Sequence, residues 1–99
     1  MIPGEVLYDD ALFLKAKILI KQEKYLAAIE QLEKIVTADN QGFLTDDVYY
    51  QIAEIYNFHL NNPEKAKEYY QKIIFEQPSS IYLVDARNKF RKLRGEVLN

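Results

Sequence analysis

Two aspartate pairs, Asp9-Asp10 and Asp46-Asp47, and a single histidine, His59, are the side chains of this 99-residue sequence with the most obvious chemical potential. Adjacent carboxylates can act as acid and base or as oxygen ligands for a hard cation, and an imidazole can move a proton or hold zinc. The rest of the chain completes neither chemistry. One imidazole in a chain without cysteine cannot build a zinc site. A serine nucleophile would have to be Ser79 or Ser80, and no nucleophile-elbow sequence presents either. The three glycines form no phosphate-cradling run, so nucleotide binding has no basis. These exclusions predict a chain with no catalytic, cofactor-binding or metal residues, one that is not an enzyme. The aspartate pairs then read as architecture: each precedes a helical pattern, where negative charge meets free backbone N–H groups and the positive end of the helix dipole.

The elements around these residues follow an internal repeat. Asp9 to Ala16 lies over Asp46 to Ala53 at an offset of 37, with Ile18 over Ile55. The offset then becomes 38, placing Ala28 over Ala66, Glu30 over Glu68 and Ile35 over Ile73, so one residue is inserted in the turn near Asn61-Asn62. Within each copy apolar residues recur at the helical period in two stripes, Leu12-Ala16-Leu19 and Ala28-Leu32-Ile35 in the first. Gln22-Glu23-Lys24 breaks the first pair of helices. Asn62-Pro63-Glu64 opens the fourth: Asn caps, Pro fits the first turn, and Glu favours the dipole. Asn40-Gln41-Gly42 and Pro78-Ser79-Ser80 close the two pairs, the serines offering a hydroxyl cap to a fifth helix. The pattern predicts helices at about 6–21, 24–38, 45–60, 63–76 and 80–94.

Length and composition agree with one small globular domain spanning 1–99. With 48% hydrophobic and 28% charged residues, neither disorder nor a membrane span is indicated. Apolar runs such as Ala11–Leu14 fall far short of the roughly eighteen residues a spanning helix needs. The first residues lack the features of a secretory signal, which leaves periplasm, cell envelope and cytoplasm all open as locations.

The residues and their spacing resemble the tetratricopeptide repeat. Its small and large positions are filled by Leu12, Ala16, Leu19, Ala28 and Leu32 in the first copy and by Tyr49, Ile52, Ala53, Tyr56, Ala66, Tyr70 and Pro78 in the second. Lys15 stands where Leu is usual and Asn40 where Pro is usual. The resemblance implies an all-α fold: a right-handed α-α superhelix of two helix pairs, repeat 1 at about 6–40 and repeat 2 at about 45–78, with a C-terminal capping helix at about 80–94. The stretch Pro78 to Gly95 is also similar to the C-terminal end of larger bacterial repeat proteins. The function so implied is a protein–protein interaction module, a scaffold or adaptor that binds a peptide or partner surface in a concave groove. The alternative is a structural end-cap, or a self-associating unit of a longer superhelix, and a homo-oligomer is compatible with either. Groove positions carried over from the motif are Asp10, Phe13, Lys17, Asp47, Tyr50, Glu54, Asn57, Phe58, Tyr82, Asp85 and Lys89. Varieties of the repeat that grip a C-terminal carboxylate need Lys and Asn where this chain has Phe13 and Lys17, so that ligand class is not expected.

Charge is uneven. Residues 87–99 carry five basic groups and one acid, and the preceding 86 carry eight basic and fourteen acidic. A basic tail can signal nucleic acid or anionic lipid. Here Leu83, Ala86, Phe90, Leu93 and Val97 form an apolar stripe, the basic residues take the wet faces, and cations suit the C-terminal dipole. Nucleic acid is therefore not an expected partner.

Overall fold

The computed structural model describes residues 6–95, with side chains from Tyr8 onward. Five helices occur among the described residues: α1 (Val6–Lys21), α2 (Tyr25–Ala38), α3 (Thr45–Phe58), α4 (Pro63–Glu76) and α5 (Leu83–Leu93). No strand occurs among the described residues. The chain groups into two compact units, Met1–Val48 and Tyr49–Asn99, so the division falls inside α3.

In the first unit α1 packs on α2. Ala16 and Ala28 have no exposed surface, and Leu32 and Ile35 are buried beside them. Side chains this small let two helix backbones approach closely, while the branched residues fill the flanks. The intervening turn is closed by backbone bonds from Glu23 N–H to Ile20 O and from Lys24 N–H to Leu19 O. Glu23 takes a left-handed φ of 61° to make it, and Asn61 does the same (φ 50°) in the corresponding turn of the second copy. That turn is one residue longer, as the change of offset predicts. At the far end of α2, Asp39 Oδ1 accepts from Gln41 N–H at 3.0 Å, and the buried Thr45 hydroxyl donates to Asp39 O at 3.4 Å.

In the second unit Ala53 and Ala66 are again fully buried, with Ile52, Ile73 and Tyr70 around them. Asn62 caps α4 as expected, its Oδ1 accepting from Lys65 N–H at 3.2 Å with Pro63 in the first turn. α5 packs on α4. It begins at Leu83, three residues later than the sequence predicts, because Ser80 closes a turn instead of capping the helix. Ser80 Oγ accepts from Tyr82 N–H at 3.0 Å and Ser80 O from Leu83 N–H at 3.1 Å, and Tyr82 takes the cap position without its side chain capping the helix. The apolar stripe of α5 is also thinner than predicted. Ala86 is fully buried, Leu83, Phe90 and Leu93 only half so, and Val97 lies outside the described residues. Gly95, at φ 92°, ends the helix in the left-handed conformation that glycine adopts without steric cost.

Two substitutions test this packing. Ala53→Leu adds methylene-sized groups to a site with no free surface and should cost about 1–3 kcal/mol in chemical denaturation. Glu23→Asn places a residue tolerant of left-handed backbone where Asn61 already stands, and a gain of about 0.5–1 kcal/mol is expected.

Candidate partner-binding site

On α3 the residues Tyr50, Glu54, Asn57 and Phe58 follow one another at helical spacing and so share a face. Asp85 and Lys89, one turn apart on α5, meet that face. The Lys89 ammonium donates to Glu54 Oε1 at 2.7 Å, to the Tyr50 hydroxyl at 2.9 Å and to Asp85 Oδ2 at 3.1 Å. All three of its protons are used. The Tyr50 hydroxyl donates to Asp85 Oδ2, and the Tyr70 hydroxyl donates to Glu54 Oε2. Asn57 Nδ2 donates to the Tyr70 hydroxyl at 3.3 Å. The rings enclose the ion pairs. Tyr82 stacks on Tyr50 with centroids 4.2 Å apart and planes 12° apart, and the ammonium lies 5.1 Å from the Tyr50 centroid and 5.3 Å from that of Phe58.

The electrostatics follow from this geometry. Burial works against the charge on Lys89, but its bonds to Glu54, Tyr50 and Asp85 outweigh burial and hold the ammonium above its ordinary pKa. Burial likewise opposes ionisation of Asp85, and donation from Tyr50 and Lys89 reverses the balance, so this carboxyl sits below the usual aspartate range. Burial first, then the bond to Asp85, pushes the Tyr50 hydroxyl up to about 12. Lys89, Asp85 and Tyr50 are thus each held in one protonation state at neutral pH, and the carboxyl groups of Glu54 and Asp85 both face one ammonium.

Seven of the sequence-predicted groove residues are therefore brought together in the second unit: Tyr50, Glu54, Asn57, Phe58, Tyr82, Asp85 and Lys89. The others fall in the first. There the Lys17 ammonium lies 4.8 Å over the Phe13 ring, Asp10 is exposed on α1, and Asp47 N–H donates to Asp46 Oδ1 at 2.9 Å in the first turn of α3. Two members of these networks escape sequence reading. Tyr70 stands at a buried position that asks only for a large side chain, and its hydroxyl is what ties Glu54 and Asn57 together. Tyr49 similarly donates to Glu76 Oε1 at 3.3 Å from a ring that is almost wholly buried. A tyrosine where phenylalanine would serve is the available signal, since a buried hydroxyl needs a partner.

The two aspartate pairs differ. Asp46 and Asp47 occupy the first turn of α3, the helix-start role expected. Asp9 does not simply face solvent at a helix start. It is 6% exposed, and its Oδ1 has no hydrogen-bond partner among the described residues. Burial raises its pKa, and the neighbouring Asp39 and Asp10 carboxylates raise it further. No group of three His, Cys, Asp or Glu that could hold a metal occurs among the described residues, and none of their helices is long and apolar enough to cross a membrane.

Paired antiparallel stripes, small residues at the crossings and a motif repeated once define an α-helical repeat protein. The family description Tetratricopeptide repeat matches residues 9–41 and 46–78, and the chain belongs to that family. Repeats of this family generally mediate protein–protein interactions and are typically non-enzymatic. No curated protein and no solved structure matches the chain significantly.

Replacing Lys89 with Met should destabilise the second unit by about 1–3 kcal/mol, because Glu54 and Asp85 lose their shared donor and are left as neighbouring like charges. Urea denaturation reads this directly. For Asp9 the folded-state pKa lies above the unfolded value of about 3.9, so ionisation at neutral pH costs stability. Asp9→Asn is therefore expected to raise the melting temperature at pH 7. The gain should shrink as pH falls through the raised pKa and vanish below about 3.9, where the carboxyl is protonated in both states.

Proposed function

We propose that this chain is an adaptor that holds an extended peptide or partner surface along the faces of its first-of-pair helices, with Tyr50, Phe58 and Tyr82 as the principal anchors. The observation that carries the reading is how the second unit divides its polar and apolar groups. Lys89, Glu54 and Asp85 are bonded to one another, so a partner gains little by competing for them. Phe58 remains 62% exposed, and the Tyr50–Tyr82 stack is only half-buried. Rigid rings supply contact area at low entropic cost, and aromatic residues are over-represented among the side chains that dominate binding energy. The surplus carboxylate beside them favours a peptide with a basic residue flanking its apolar anchor. Asp10, Phe13 and Lys17 of the first copy and Asp47 of the second extend the same reading to the first unit.

Selection from a displayed library of random peptides, followed by titration of the enriched sequences against the full chain, tests this. Phe58→Ala should leave the melting temperature nearly unchanged and weaken the selected peptides by about 2 kcal/mol. Peptides that bind the variant as tightly as the parent would place the contact elsewhere.

A further inference from the structure

The polar network of the second unit has an open corner. Glu54 accepts on both of its carboxyl oxygens, from Lys89 on Oε1 and from Tyr70 on Oε2. Asp85 differs. Its contacts with Tyr50 and Lys89 both fall on Oδ2, and 48% of its side-chain surface stays exposed. Oδ1 is therefore an acceptor that a donor from outside can reach. Apolar surface adjoins it: the Lys89 ammonium that lies 3.1 Å from Asp85 Oδ2 is also 5.3 Å from the centre of the Phe58 ring, and Phe58 is 62% exposed.

Charge at this corner is short of balance by one cation. Glu54 and Asp85 bring two acids and Lys89 one base, and all three protons of that ammonium are used. The other cations of α5 do not supply the second. Helical spacing puts Arg87, Arg91 and Arg94 on the side of α5 away from Asp85. Lys92 shares the side of Asp85 but stands seven residues along, about 10 Å at the helical rise and so about one screening length away at physiological salt.

We propose that Asp85 sets the specificity of this face and selects peptides with one arginine or lysine next to the apolar side chain seated on Phe58. This selectivity rests on the adaptor function proposed above. An arginine or lysine suits the corner, because its aliphatic stem lies along the Phe58 ring while the charged head donates to Asp85 Oδ1. Asp85 is already held by two bonds on its other oxygen, so little freedom is lost when the donor arrives. Acidic peptides meet the surplus charge and are rejected.

Two variants of opposite sign test it in the full chain. Asp85→Asn keeps an oxygen to which Tyr50 and Lys89 can donate and removes the surplus charge. Lys89→Gln keeps a donor and leaves both acids without a counter-charge. Circular dichroism checks that each folds, and each decides independently of the other. Peptides selected from a random displayed library against the parent chain should be enriched in Arg or Lys beside an apolar residue. Replacing that basic residue with norleucine should weaken binding to the parent about tenfold, and by more at low salt than at high. The same replacement should matter several-fold less to Asp85→Asn and several-fold more to Lys89→Gln. Selected peptides with no basic preference, or a norleucine effect equal in all three proteins, overturn the selectivity and leave the adaptor function standing. A library that yields no binding peptide removes the adaptor function and the selectivity with it.

Discussion

Ala16, Ala28, Ala53 and Ala66 have no exposed surface at all, and the rest of the structure depends on that. A helix pair can bring its backbones close only where side chains are small on both members, and close approach is what lets Leu32, Ile35, Ile52 and Ile73 be buried on such short helices. Helices of eleven to sixteen residues are marginal on their own, so their stability comes from this packing and not from propensity. The left-handed turns at Glu23 and Asn61 serve the same constraint, each reversing the chain within three or four residues so that the alanines can face each other.

Close packing in the second unit also decides what its surface can offer. With α5 beside α4 and reaching α3, one ammonium bridges two helices and consumes the charges that a motif-based reading would assign to a ligand. Lys89 is held by three acceptors, and its removal leaves a face with two carboxylates and no counter-charge. In the adaptor function proposed above, recognition would rest on ring surface, with charge setting preference more than strength. The first unit distributes its groups in the opposite way. One oxygen of Asp9 has been drawn out of water with no hydrogen-bond partner among the described residues, a local cost to folding.

Much of this was legible in the residues. Period, offset and the Asn62-Pro63 start place four helices to within one or two residues of their ends, because those signals are local: a stripe, a cap, a breaker. The start of α5 was not, since Ser80 can either cap a helix or close a turn, and only the bonds from Tyr82 and Leu83 decide between them. Residues carried over as groove positions lie together in the second unit, but their relations to one another were not legible. Glu54 and Lys89 are 35 positions apart, and no spacing rule says that they pair with each other before they meet a ligand. Asp9 shows the same limit. Its motif position predicts a solvated helix start, while the structure buries it and sets the Asp39 carboxylate near enough to act on its charge.

The close alanine crossing is the central claim, and methyl NOE spectroscopy on protein labelled at alanine methyls measures it most directly. Cross-peaks are expected between the methyls of Ala16 and Ala28 and between those of Ala53 and Ala66, at intensities that only direct contact gives. Absence of both cross-peaks in a folded sample would mean that larger side chains hold the helices apart, and the account of how these repeats pack would be wrong.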